Sequence, residues 1–132
     1  MLASLSDLLI GPALARLCIS AVFLYSALDK TRHWRESVAE VTELGLPFPI
    51  LFAAATIATQ GVGGLALATG LAAGTGAAML GLFTISATFL GHRFWLLRGA
   101  PARREFTTAL EHLAIVGGLL LVVLHQFRAS PG

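Results

Sequence analysis

The sequence predicts an all-α fold: a four-transmembrane-helix bundle with a short amphipathic interfacial segment between the first and second helices. Three observations carry that prediction. Of the 132 residues, 56% are hydrophobic and only 12% charged, about half the charge density of an ordinary soluble domain. A chain this short cannot hide so much apolar surface in a water-facing globule, because small domains bury only about 60–70% of their chain surface. The apolar residues also gather in four runs near the ~20 residues that cross a hydrocarbon core. These runs are rich in Leu, Ala and Phe and lack the period-two alternation of barrel strands. The same features exclude a disordered chain, a disulfide scaffold and a nucleic-acid binder. The composition is too apolar, Cys18 is the single cysteine, and no basic run exceeds Arg103-Arg104.

The expected spans are about 8–28, 48–69, 74–91 and 109–127, within one domain covering 1–132. The first is interrupted only by Pro12 and Arg16. No basic stretch precedes Ala13-Leu14-Ala15, so the segment reads as a retained span and not as a cleaved signal peptide. Between the first and second spans, Trp34, Val38, Val41 and Leu44 recur at helical spacing against Arg35, Glu36, Glu40 and Glu43. That pattern predicts a short amphipathic helix at the membrane surface, ended by the Gly45-Leu46-Pro47-Phe48-Pro49 breaker. The second span carries Gln60 as its one strongly polar residue, and the third carries no charge. The tight 70–76 link makes these two a hairpin, whose glycines suit close helix packing. His92 to Thr108 is expected as a polar loop, with Gly99 and Pro101 as breakers.

Four spans place both termini and the 70–76 link on one side, with the 29–47 and 92–108 loops on the other. The first side holds only Arg128, whereas the second holds Lys30, Arg32, Arg35, Arg93, Arg98, Arg103 and Arg104. The positive-inside rule then puts the long loops in the cytoplasm and both termini outside.

Two groups of polar residues are candidates for function. Arg16 and Gln60 are expected at similar depth in adjacent helices, facing each other, either as an anion or quinone-carbonyl site or as interhelical glue, the further alternative being an Arg16 that reaches toward the outer interface. At the opposite end, Lys30 closes the first helix, His92 closes the third, and Glu111-His112 open the fourth. His92 and Glu111 read either as a proton-exchanging pair or, with the greater weight, as an interfacial His bonded to a loop carbonyl beside a Glu111 that complements the positive N-terminus of the fourth helix. No metal is expected, because no His-x3-His, Cys-x2-Cys or Glu-x2-His spacing supports His92 and His112 as ligands. No Gly-x-Gly-x-x-Gly follows a strand, so a nucleotide is not indicated either.

Several stretches together resemble the DoxX family. They are Arg16-Leu17 followed by Phe23 and Lys30, Leu46-Pro47-Phe48-Pro49, Gly63-Gly64-Leu65 through Gly70, His92-Arg93-Phe94-Trp95, and Leu113-Ala114-Ile115-Val116-Gly117-Gly118-Leu119-Leu120-Leu121. The resemblance covers about residues 14–124. It implies a small four-helix protein of the bacterial inner membrane, with some relatives associated with membrane oxidoreductase complexes or with sulfur oxidation through quinones. This chain departs from the family in carrying Gln60 where relatives often have Glu, and Glu111-His112 where they often have Lys-Asn.

Three functions follow as expectations. The first is a membrane subunit of a redox system linked to quinone or reduced sulfur, with quinone the candidate cofactor. The second is a non-catalytic anchor for a soluble partner at loops 29–47 and 92–108. The third is a small transporter or lipid-binding protein that works as a homo-oligomer. In each case membrane lipid is the surrounding partner and nucleic acid is not.

Overall fold

The computed structural model describes residues 5–129, which are helical apart from short connections, with no strand among them. The elements are α1 (Leu5–Arg32), α2 (Trp34–Glu43), α3 (Pro49–Thr69), α4 (Ala73–Gly91), a 3-10 turn (Phe94–Leu96) and α5 (Gly99–Ala129). Helices α1, α3, α4 and α5 are each long and apolar enough to cross a membrane. At 21 residues α3 is about 32 Å long, close to the ~30 Å hydrocarbon thickness. Large side chains such as Leu65, Leu82, Leu113 and Leu121 lie on the outside, each more than half exposed. Such an inverted surface suits lipid and not water. The chain is a multi-pass membrane protein.

The expected boundaries hold for α3 and α4. The fourth span differs, since α5 begins ten residues earlier than the apolar run. The 99–108 stretch is therefore helix and not loop. Pro101 lies in the first turn of α5, where its missing N–H costs nothing because that donor has no intrahelical partner. It starts this helix instead of breaking one. Helix α1 likewise runs past its apolar segment to Arg32, with Lys30 and Arg32 complementing the negative end of the helix dipole.

Helix α1 packs along α3, α3 along α4, and α4 along α5, while α1 and α5 touch least. The shared core is Phe23, Leu67, Ala77, Leu80 and Leu119, drawn from all four spans. Small residues set the distance between helices. A Cβ added at Gly63 would lie 2.7 Å from Leu80 Cγ, and one at Gly76 would lie 2.8 Å from Ala66 Cβ. Close backbone approach of this kind is how helices gain van der Waals contact in lipid, where apolar burial itself drives nothing. Helix α2 packs on α3 and α1 at the loop end of the bundle. It buries Ser37, whose hydroxyl donates to the Lys30 and His33 carbonyls. The chain then reverses through Gly45 (φ +78°) and Phe48 (φ +52°) before Pro49 opens α3.

Candidate functional site

Helix α1 sets Arg16, Ser20 and Lys30 on one face together with Phe23 and Ala27, because 16, 20, 23, 27 and 30 repeat at steps of three or four. Arg16 does not meet Gln60. Its Nε donates to the Leu67 carbonyl at 3.1 Å, and its guanidinium sits against Gly70, which ends α3 at φ +81°. Leu67 is among the last four residues of α3, whose carbonyls have no partner in their own helix. In a membrane an unmet carbonyl is costly, and a cation at the negative end of the helix dipole is favourable. Arg16 is therefore a cap, placed toward the terminal end. Gln126 does the reciprocal job nearby, its Oε1 accepting from the Gly74 N–H in the first turn of α4 (3.3 Å).

Replacing Arg16 with Met should accordingly cost about 1–2 kcal/mol of bundle stability, the penalty for an orphaned carbonyl. Reversible unfolding in detergent checks it.

Gln60 pairs instead with Ser26, which lies ten residues, or about 15 Å, further along α1 than Arg16. The Ser26 hydroxyl donates to Gln60 Oε1 at 3.2 Å and accepts from Lys30 Nζ at 2.9 Å. A hydroxyl has one proton to give and two lone pairs, so Ser26 joins the other two into one chain. Gln60 is 6% exposed, yet its amide nitrogen has no partner among the described residues. That nitrogen is not sealed away from open space either, since no fully buried side-chain atom lacks a partner. Two donors, the Lys30 ammonium and the Gln60 amide, thus stand on one wall. Among the described residues no carboxylate lies within ion-pair distance of Lys30.

The space beside them is a cavity of about 520 Å³ in the loop-end half of the bundle, within the ~300–1,000 Å³ of small-molecule sites. Phe23, Phe52, Phe83 and Leu90 make much of it apolar. Ser26, Lys30 and Gln60 form its polar wall on one side, and His92 and His112 stand on the α4–α5 side. Helix α2 closes the loop end with Glu40 and Val41, joined by Leu44 just after it. Val41 and Leu44 belong to the apolar face expected of that segment.

On the second wall His112 Nδ1 is 2.8 Å from Thr88 Oγ1, while the Thr88 hydroxyl donates to the Thr84 carbonyl at 2.7 Å. The single hydroxyl proton of Thr88 is thereby committed, so Nδ1–H of His112 is the donor to Thr88 and Nε2 is left as an acceptor. His92 stands edge to face with His112, ring centroids 4.9 Å apart. Its Nδ1 bonds the Glu105 carboxylate at 2.5 Å, and not Glu111. The expected His92–Glu111 pair is replaced because α5 is helical from Gly99. Glu105 and His112 are then seven residues apart, two turns on one face, whereas Glu111 points about 100° away and is exposed.

Four of the six candidates therefore converge on one cavity: Lys30, Gln60, His92 and His112. Arg16 and Glu111 do not. Sequence reasoning missed Ser26 and Glu105. The signals available were the i,i+4 spacing of Ser26 and Lys30, and the i,i+7 spacing of Glu105 and His112. Among the described residues no three His, Cys, Asp or Glu side chains gather as a metal site.

A family model described as DoxX matches residues 11–93, more than half of the chain. The matched region takes in all but the first residues of α1, together with α2, α3 and α4. It ends at Arg93, so α5 with Glu105 and His112, and the Leu113–Leu121 stretch, lie outside it. No curated protein and no solved structure gives a significant match.

Proposed function

The chain belongs to the DoxX family, and from that premise we propose that it is the quinone-binding membrane subunit of a redox system. The observation that supports this reading is the amphipathic cavity itself. A mostly apolar space within the spans suits a ligand that partitions into lipid. Two donors on one wall, and a histidine acceptor on the other, suit a head group that both accepts and gives hydrogen bonds. A bound quinone would supply two-electron, two-proton chemistry. The chain's own residues do the rest. Lys30 and Gln60 hold an acceptor oxygen, Phe23 and Phe83 keep the ring against apolar surface, and His112 Nε2 accepts from a hydroxyl.

In this reading the membrane is the bacterial inner membrane and the loop end faces the cytoplasm, because Lys30, Arg32, Arg35, Arg93, Arg98, Arg103 and Arg104 all lie at that end. An electron-donating or electron-accepting protein would approach at that end. The anchoring alternative needs segment 29–47 free for a partner, but α2 uses much of that segment to roof the cavity.

Native mass spectrometry of the protein extracted in mild detergent tests the proposal, together with a titration of decylubiquinone in nanodiscs. A retained quinone mass, or saturable binding, is the expected result. A species carrying phospholipid alone, with no saturable binding of the quinone, would overturn it.

A further inference from the structure

The imidazole of His92 lines the main cavity, and its Nδ1 is bonded to Glu105. Glu105 in turn lines a second hollow of about 240 Å³, also bordered by Glu43 and Arg93 at the loop end. One hydrogen-bonded pair thus spans the wall between the two spaces. We infer that His92 and Glu105 are a proton relay connecting the main cavity to the loop face of the protein. This rests on the reading of the main cavity as a ligand site, and it adds the route by which that site exchanges protons.

The step balances within the chain. A proton taken up on Nε2 of His92 makes the ring an imidazolium, held by the adjacent carboxylate. The ring gives its Nδ1 proton to Glu105, and the Glu105 carboxyl releases it to water in the second hollow. His92 is left neutral with its proton on Nε2, and the relay resets when the ring turns to carry that N–H to Glu105 and bring the bare Nδ1 to the cavity. Run in reverse, the same steps deliver a proton to an acceptor in the cavity. The groups around His92 are Glu105 and His112 from α5, Arg93 next in the chain, Glu43 of α2 across the second hollow, and Lys30 and Glu40 across the main cavity. Among the described residues only Glu105 brings a carboxylate into contact with the ring.

The test uses the full-length protein, labelled with 15N-histidine, in nanodiscs. It reads the rate at which the His92 ring N–H exchanges with water, with His92→Gln assigning the signal. Glu105→Gln keeps the shape and a hydrogen bond but carries no proton, and should slow exchange roughly tenfold or more. Glu105→Asp should recover most of the rate, and Glu111→Gln should leave it as in the unmodified protein. An unchanged rate in Glu105→Gln overturns the relay, because His92 would then meet water directly. Failure of Glu105→Asp to recover exchange also overturns it, by showing a purely structural role. Adding decylubiquinone separates the two ideas. Movement of the His92 and His112 signals supports the ligand site, and no movement defeats that site while the exchange rates still decide the relay.

Discussion

Gly76→Ala should cost about 1–3 kcal/mol of bundle stability, whereas Gly81→Ala, five residues along the same helix, should be neutral or stabilising by up to about 1 kcal/mol. The two glycines share a helix and a chemistry and differ only in what faces them. A Cβ at position 76 would lie 2.8 Å from Ala66 Cβ and 3.2 Å from the Gly63 carbonyl oxygen. Neither atom can swing aside, since one is fixed to the α3 backbone and the other belongs to it. Relief requires α3 and α4 to separate, which forfeits the contacts of Leu67, Ala77 and Leu80, all fully buried. At position 81 nothing lies within 4 Å, so the added methyl meets only surrounding lipid, and the gain in helix propensity remains. The sign difference is the informative result. Steric or thermal unfolding titrations in detergent, run on both variants, measure it. Equal effects at the two positions would mean that α3 and α4 do not cross where the structure places them.

Much of this was legible in the residues because the membrane imposes one strong rule, that a spanning helix must be apolar for its whole length. The rule located α3 and α4 to within a residue or two and separated α2 by its charged face. It says nothing, however, about helix that continues beyond the apolar run. By that rule the 99–108 stretch looks like loop, and nothing in it marks Glu105 as a helical neighbour of His112. Depth was the second weakness. Arg16 and Gln60 each sit near the middle of an apolar run, but the true register matches Ser26 to Gln60 and Arg16 to Leu67. Register follows from how Gly63 and Gly64 seat against Leu80 and Leu24, and pairing of that kind cannot be read along one strand of sequence. A long arginine also reaches past its own depth toward a helix end, so its position in the chain overstates how deep its charge lies.

The donor chain on α1 and α3 leads to the prediction with the largest functional effect. Lys30→Met and Gln60→Leu should each weaken decylubiquinone binding by roughly tenfold, about the loss of one charge-assisted or well-desolvated hydrogen bond. Both changes preserve side-chain volume, and neither should unfold the bundle. With Leu at position 60 the Ser26 hydroxyl can turn back to a carbonyl one turn earlier in α1, so no buried donor is stranded. Because Ser26 links the two residues, the double variant should lose less than the roughly hundredfold expected from independent sites. Lys30 is oriented by Ser26, Ser26 by Gln60, and removing either end loosens the other. A double-mutant cycle on quinone affinity, with Arg16→Met as the control outside the cavity, measures the coupling. Full additivity would show that Lys30 and Gln60 hold separate parts of the ligand. Unchanged affinity in both single variants would remove this wall from the binding site and leave the histidine side to account for it.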